Sequence, residues 1–201
     1  AELLLHHAKK VYLYDGNEAL DVAAFRKQHP SLDAVELILG TLPAEIETTL
    51  DIAVLSPGVP LDIPIVEQMK ARGICIWGEI EIAYVLGKGK VVAITGTNGK
   101  TTTTTLVGQI MARHFSKVQV VGNIGIPYTS VVEDTTEDTV VVAEISSFQL
   151  ETIQTFAPKA AAILNITPDH LNRHHTMENY IAAKESIVKN QSKEDVCVLN
   201  Y

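Results

Sequence analysis

Short apolar runs alternate with amphipathic stretches through the first part of the chain. Three runs rich in β-branched or aromatic side chains predict strands: residues 11–15, 52–58 and 74–77. Between the last two, residues 63–72 carry apolar side chains at helical spacing. This alternation of strand and helix predicts a small parallel sheet within residues 1–88.

The second part of the chain has longer and more continuous apolar runs. It follows the sequence Gly-Lys-Gly-Lys at residues 87–90, which we interpret as a linker. Four runs predict strands buried on both faces of a parallel sheet: residues 91–95, 118–122, 140–146 and 160–167. A helix is predicted over residues 177–190 and a fifth strand over residues 195–201. We therefore expect an α/β protein with one domain in residues 1–88 and another in residues 89–201.

Composition and charge narrow the possible classes of protein. The 201 residues are 46% hydrophobic and carry a formal net charge of −8, which is typical of a globular protein without a basic nucleic-acid-binding face. No apolar stretch reaches the roughly 18 residues of a membrane span, and no signal peptide is visible. We expect a cytoplasmic protein in which Cys75 and Cys197 are buried thiols. The chain has no initiator Met, and we expect it to start inside one domain and stop inside another.

The strongest chemical signal is Ile-Thr-Gly-Thr-Asn-Gly-Lys-Thr-Thr at residues 94–102, between a predicted strand and a predicted helix. Glycines allow such a loop to point several N–H groups at a phosphate, and the helix N-terminus adds partial positive charge. Lys100 would reach the β- and γ-phosphates, and the Thr101 hydroxyl would bind Mg²⁺. Position 94 holds Ile where the strict pattern has Gly. We expect the helix to bury an apolar face formed by Leu106, Val107 and Ile110.

Polar residues follow the other predicted strands as well. Glu144 ends one strand and is a natural Mg²⁺ ligand beside a phosphate loop. His170 follows another strand at the same expected edge, where it could bind metal or phosphate. We expect His174 and His175 to be surface residues. Taken by itself, Lys184 would be a solvated charge on a helix.

Together these segments resemble the Mur ligase superfamily over essentially the whole chain. The shared motifs are Thr-Gly-Thr-Asn-Gly-Lys-Thr-Thr at 95–102, Glu-Ile-Ser-Ser-Phe-Gln-Leu-Glu at 144–151, Asn-Ile-Thr-Pro-Asp-His at 165–170 and the later Lys184. The resemblance implies a Rossmann-like UDP-binding domain lacking its first strand, then the first part of a P-loop ATPase domain. The family's C-terminal domain would be absent.

The resemblance also implies a role for each matching residue. Lys100, His170 and Lys184 would be catalytic. Two Mg²⁺ ions would be held, the first by Thr101 and Glu144, the second by His170 and Lys184, the lysine being carbamylated. ATP would be held by Gly96, Thr97, Asn98, Gly99, Lys100, Thr101 and Thr102. The sugar-nucleotide substrate would be contacted by Ser56, Pro57, Gly58, Asn123, Ser146 and Gln149.

Within the superfamily, the segment Ser-Ser-Phe-Gln-Leu-Glu at 146–151 is most similar to the ligases that add D-glutamate to UDP-N-acetylmuramoyl-L-alanine in peptidoglycan synthesis. The resemblance implies those two substrates, an acyl-phosphate intermediate and a monomer. We expect the 201 residues alone to bind substrate without catalysing the reaction.

Three alternatives remain open. The first is another amide ligase, either a sister Mur ligase or folylpolyglutamate synthetase. The second is a P-loop GTPase or kinase, although no guanine-reading Asn-Lys-x-Asp segment is present. The third is a non-catalytic sugar-nucleotide-binding module.

Overall fold

The computed structural model describes residues 1–123 and 125–200. The chain divides into two compact units, one of Ala1–Asp51 and one that begins at Ile52. Within the described residues every paired strand runs parallel to its neighbour, so the predicted α/β class is confirmed. The domain boundary near residue 88 stays a prediction. Among these residues, no helix combines the length and the apolar content that crossing a bilayer requires.

The first unit is built around one pair of strands. Its elements are α1 (Glu2–His7), β1 (Tyr12–Asp15), α2 (Val22–Gln28), a 3₁₀ turn (Pro30–Leu32), β2 (Glu36–Leu39) and α3 (Ala44–Glu47). β1 and β2 pair in parallel, with Tyr12 opposite Glu36. Asp21 caps α2 by accepting a hydrogen bond from the Ala24 N–H at 3.0 Å.

The second unit begins with a strand pair and continues into a larger sheet. The elements of the strand pair are β3 (Ile52–Leu55), α4 (Pro64–Ala71), β4 (Cys75–Gly78) and α5 (Glu79–Leu86). The larger sheet and its connections comprise β5 (Lys90–Thr95), α6 (Lys100–Met111), β6 (Val118–Gly122), β7 (Val140–Glu144), α7 (Ser147–Leu150), β8 (Ala160–Ile163), α8 (Leu171–His174), α9 (Met177–Glu185) and β9 (Val196–Leu199). Three 3₁₀ turns complete the unit: Tyr128–Ser130, Val132–Asp134 and Ser186–Val188.

The large sheet has the strand order β6-β7-β5-β8-β9. All five residues of β7 are buried, as expected for a strand covered on both faces. The chain leaves β5 for β6 on one side and later crosses to β8 on the other. Ligands bind in open parallel sheets where the strand order reverses in this way, beyond the carboxyl ends of the strands.

The buried face of α6 matches the prediction at Val107, which packs against the core of the large sheet, but not at the other two residues. Leu106 and Ile110 are 54% and 57% exposed, whereas Thr104 and Gly108 are fully covered. A Cβ atom on Gly108 would lie 2.4 Å from Val120 Cγ2, so α6 lies against the sheet at its glycine. The inward face of α6 therefore combines Thr104 and Gly108 with the apolar Val107 and Met111, and Leu106 and Ile110 lie outside.

The prediction of buried cysteines is wrong, because both Cys75 and Cys197 are exposed. Cys197 lies in β9, an edge strand whose four residues are all exposed. Cys75 begins β4, which pairs only with β3 among the described residues.

The segment predicted to be a linker is attached to the sheet domain. The Lys88 N–H donates to Thr135 Oγ1 at 2.9 Å. In α5 before it, the buried Glu81 carboxylate accepts from the N–H groups of Gln154, Thr155 and Phe156 at 2.7–3.1 Å. The helix before residue 88 is therefore anchored to the chain that leads into β8.

Candidate nucleotide and substrate site

The predicted phosphate loop joins β5 to α6. Gly99 has φ of 81°, a left-handed conformation that glycine adopts readily, and it is the N-cap of α6. The Lys100 ammonium lies over the loop and donates to the carbonyls of Gly96 and Thr97 at 3.0 and 2.9 Å. Thr102 is exposed in the first helical turn. The loop therefore has the helix N-terminus and the lysine that phosphate binding requires.

The segment after β8 braces this loop. Asn165 accepts from the Asn98 N–H at 2.9 Å and donates to the Asn98 carbonyl at 3.0 Å. The Thr97 hydroxyl accepts from the Thr167 N–H at 3.0 Å and lies 3.0 Å from the Tyr180 hydroxyl. Neither Asn165 nor Tyr180 is assigned a role from the sequence, although Asn165 begins the motif at residues 165–170.

Glu144 lies where the sequence predicted a metal ligand. Its side chain is 2% exposed and accepts from the Thr101 hydroxyl at 2.8 Å and from the Asn123 amide at 3.0 Å. Three predicted site residues, from the ends of β6 and β7 and the start of α6, thus meet at one carboxylate. Because parallel strands end at the same sheet edge, this convergence follows from the topology.

Lys184 lies inside the protein, contrary to the solvated charge that its position alone suggested. It is 2% exposed, and its ammonium donates to the Gly96 carbonyl at 2.8 Å. Burial, together with the nearby Lys100 charge, lowers the pKa of Lys184 to about 8.

His170 projects from the strained start of α8. Its φ of 52° lies in the left-handed region, which side chains other than glycine rarely adopt. The ring is 48% exposed, 3.4 Å from an Asp169 oxygen and 5.0 Å from the ring centre of Phe148. Strained residues of this kind concentrate at functional sites.

The prediction for His174 is wrong, whereas His175 is exposed as predicted. The His174 side chain is 3% exposed, with Nε2 2.9 Å from Ser147 Oγ and Nδ1 3.4 Å from Glu151. Burial lowers the pKa of His174. It is buried because α8 packs its last turn against α7 and the ring of Tyr180, 5.2 Å away.

A cleft brings together predicted substrate residues that are distant in sequence. Its volume is only about 10 Å³, and its lining includes the predicted substrate residues Ser56, Pro57 and Gln149 together with Phe148 and Arg173.

Two other predicted substrate residues need separate description. Gly58 is an exposed residue of the same turn as Ser56. Ser146 forms the N-cap of α7, where Gln149 Oε1 accepts from the Ser146 N–H at 2.9 Å in a capping box. Both Ser146 and Gln149 therefore stabilise the start of this helix, whatever else they contact.

The donor set at Glu144 suits Mg²⁺ in a phosphate site. Within residues 1–123 and 125–200, no group of three or more His, Cys, Asp or Glu side chains forms a metal cluster. Mg²⁺ beside a nucleotide needs only one or two carboxylates, because phosphate and water oxygens complete its shell. One buried carboxylate and one hydroxyl at the loop therefore fit this ion.

Comparisons with known proteins agree with this geometry. The family described as the Mur ligase middle domain matches residues 94–201. A UDP-N-acetylmuramoylalanine–D-glutamate ligase of Lachnoclostridium phytofermentans is 57% identical over 200 residues, covering 100% of this chain and 44% of the relative. One of the same name from Lachnospira eligens is 58% identical over 188 residues, covering 94% of this chain and 42% of the relative. The chain thus spans less than half the length of these relatives.

Among solved structures, a UDP-N-acetylmuramate:L-alanyl-gamma-D-glutamyl-meso-diaminopimelate ligase from Neisseria meningitides has a similar fold. The TM-score is 0.56 at 16% identity, and the match covers 93% of this chain and 62% of that one.

Proposed function

Because this chain belongs to the Mur ligase family through its middle domain, we propose that it carries the ATP-binding centre of a ligase that joins D-glutamate to UDP-N-acetylmuramoyl-L-alanine. The observation that carries the proposal is the 2.8 Å contact between Thr101 and the buried Glu144 at the phosphate loop. Relatives of that name match from 94% to 100% of the chain at 57–58% identity. Because amide formation consumes ATP, we also propose that the protein is cytoplasmic. From the family resemblance we propose that it acts as a monomer.

In this proposal the phosphate loop binds the β- and γ-phosphates of ATP. The set would be Gly96, Thr97, Asn98, Gly99, Lys100, Thr101 and Thr102. Lys100 now donates to two carbonyls of its own loop, and bound phosphate would replace those acceptors with charged oxygens. Asn165 and Thr97 keep the loop backbone in place, so little ordering entropy is lost on binding.

Thr101 and Glu144 would hold one Mg²⁺ between the phosphates. The ion would neutralise charge that develops on the transferred phosphoryl group. Asn123 supports this arrangement by donating to the second oxygen of Glu144. The carboxylate is therefore oriented before any ligand arrives.

Lys184 would serve a second Mg²⁺ together with His170. Its lowered pKa supports carbamylation: the free amine attacks the carbon of CO₂, a C–N bond forms, and one proton leaves to solvent. The product is an anion, which replaces the repulsion between Lys184 and Lys100 with attraction. Burial beside Gly96 would protect the carbamate from water.

The sugar nucleotide would lie against the mouth of the cleft that Ser56, Pro57 and Gln149 line, with Gly58 in the same turn and Ser146 at the start of α7. Asn123 would contact it from the neighbouring strand end.

The reaction would proceed in two steps. The L-alanine carboxylate attacks the γ-phosphorus, the bond to the bridging oxygen breaks and ADP leaves. The amine of D-glutamate then attacks the acyl carbon, phosphate leaves, and the nitrogen loses a proton. Lys100 would contribute by stabilising negative charge on the phosphoryl oxygens.

Calorimetric titration with ATP and with GTP, each with Mg²⁺, tests the nucleotide part of the proposal. We expect ATP to bind and Glu144→Ala to abolish the contribution of Mg²⁺ to its affinity. Preference for GTP would instead favour the P-loop GTPase alternative.

A further inference from the structure

Arg173 connects three parts of the substrate cleft. Its Nη2 donates to the Val59 carbonyl at 2.9 Å and to Glu151 Oε2 at 2.7 Å. Its guanidinium carbon lies 5.3 Å from the ring centre of Phe148. One side chain thus joins the turn after β3 to α7, from its own position on α8.

The turn that Arg173 contacts carries three of the predicted substrate residues, Ser56, Pro57 and Gly58. The Val59 N–H donates back to the Ser56 carbonyl at 2.9 Å, so Val59 closes the turn of residues 56–59. Gly58 has open space around it, and no atom lies within 4 Å of where its Cβ would be. With so little packing at its tip, the turn depends on its few hydrogen bonds for a fixed position.

The ion pair of Arg173 with Glu151 is partly removed from water. The two side chains are 14% and 18% exposed. Charged hydrogen bonds are stronger in such an environment than on an open surface, and removing one partner leaves the other uncompensated.

Glu151 is itself held in place by a second basic side chain. His174 Nδ1 lies 3.4 Å from its other oxygen, and His174 Nε2 lies 2.9 Å from Ser147 Oγ. α7 and α8 are therefore connected by side chains at both ends of α7. A displacement of Glu151 would move Arg173, and with it the Val59 carbonyl.

We propose that Arg173 is a positioning residue that fixes the turn of residues 56–59 for the sugar-nucleotide substrate, with Glu151 as its anchor. The inference rests on the proposed function for the identity of the substrate. The hydrogen bonds that define it are independent of that identity. Because Arg173 contacts Val59 and Glu151 and not the phosphate loop, we expect nucleotide binding at that loop to be independent of it.

Amide hydrogen exchange on the unliganded chain tests the first half of this inference. In Arg173→Met we expect exchange of the Val59 N–H, which is hydrogen-bonded to the Ser56 carbonyl, to accelerate at least tenfold, with residues 90–111 unchanged. Arg173→Lys keeps the charge beside Glu151 and should show an intermediate rate, because it loses the planar group that lies over Phe148. Arg113→Met, at an exposed arginine after α6, is the matched control. Unchanged exchange in Arg173→Met would overturn the inference, whatever the ligand.

Calorimetry with UDP-N-acetylmuramoyl-L-alanine tests the second half. We expect its Kd to rise about tenfold or more in Arg173→Met and less in Arg173→Lys, while the Kd of ATP with Mg²⁺ stays within twofold. Equal substrate affinity in wild type and Arg173→Met would contradict the role of the turn. If the wild type does not bind this substrate, the proposed function is wrong. The hydrogen-exchange rates would still decide whether Arg173 fixes the turn.

Discussion

The phosphate loop and the substrate cleft are built in opposite ways. The loop is one contiguous segment whose backbone is hydrogen-bonded to a neighbouring segment, as Asn98 is to Asn165. The cleft is assembled from four separate segments and is held by side chains, Arg173 and Glu151 among them. Chemistry that uses backbone groups leaves a compact motif in the sequence, whereas a surface made of distant side chains does not.

The largest expected effect is on ATP affinity, and it distinguishes the phosphate loop from the substrate cleft. Lys100→Met removes the only charged side chain of the loop, and charged hydrogen bonds to phosphate are strong. We expect ATP affinity to fall by roughly 100-fold, with the Kd of the sugar nucleotide changed less than threefold. Calorimetry on both ligands measures this, with Lys193→Met as an exposed control. Parallel losses for both ligands would mean that the regions are not independent.

The buried amine gives the next largest effect, seen in stability rather than in binding. A pKa of about 8, against an ordinary 10.5, means that the folded chain binds fewer protons than the unfolded chain between those values. Stability from this group therefore rises with pH across that window, and the penalty below it is roughly 3 kcal/mol. Lys184→Met also loses a hydrogen bond to Gly96, worth about 1 kcal/mol.

Urea unfolding at several pH values, in buffers free of CO₂ so that Lys184 is an unmodified amine, tests this reasoning. We expect Lys184→Met to be more stable than the wild type by roughly 1–2 kcal/mol at pH 7, with the difference shrinking or reversing by pH 10. Lys193→Met should show no such trend. A constant difference across that range would show that Lys184 does not titrate there in the folded chain.

Replacing Glu144, the proposed metal ligand, should have a smaller effect on ATP affinity, and only when Mg²⁺ is present. Glu144→Gln keeps an acceptor for Thr101 or Asn123 but loses the negative charge that favours a divalent ion. We expect the gain in ATP affinity on adding Mg²⁺ to fall about tenfold, while affinity in chelator is unchanged. If Mg²⁺ raised the ATP affinity of Glu144→Gln as much as that of the wild type, Glu144 would not be a ligand of the ion.

The smallest effect should come from the brace of the loop. Asn165→Asp keeps the acceptor for the Asn98 N–H and replaces the donor to the Asn98 carbonyl with an oxygen. We expect a loss of about 1 kcal/mol in stability and a few-fold in ATP affinity. Asn172→Asp, on the exposed side of α8, is the matched control. Thermal unfolding and ATP titration would detect both changes, and wild-type behaviour would show that the loop holds its shape without Asn165.

These two modes of construction also explain what could be predicted from the sequence. The phosphate loop, the place of Glu144 at a strand end and the strands of the large sheet could be predicted, because a parallel sheet brings strand ends to one edge. The burial of His174 was not, since it depends on how α8 packs against α7 and Tyr180. The inward face of α6 was predicted correctly only at Val107, because Gly108, which has no side chain to signal burial, is the point of closest contact with the sheet.

The bounds of the strands could be predicted only in part. The strand Glu36–Leu39 was missed, although Val35 and residues 37–39 form an apolar run that ends at a glycine. The predicted strands 140–146 and 160–167 both extended too far. The first ends because Ser146 turns to cap α7, and the second because Asn165 and Thr167 hydrogen-bond to the phosphate loop instead of a strand.

The central claim is that this chain binds the sugar nucleotide of D-glutamate addition beside an ATP site. Its most direct test is calorimetric titration with UDP-N-acetylmuramoyl-L-alanine, compared with the same nucleotide bearing a tripeptide. We predict saturable binding of the L-alanine form and at least tenfold weaker binding of the tripeptide form. Equal affinity for the two, or preference for the tripeptide, would contradict the assignment to D-glutamate addition.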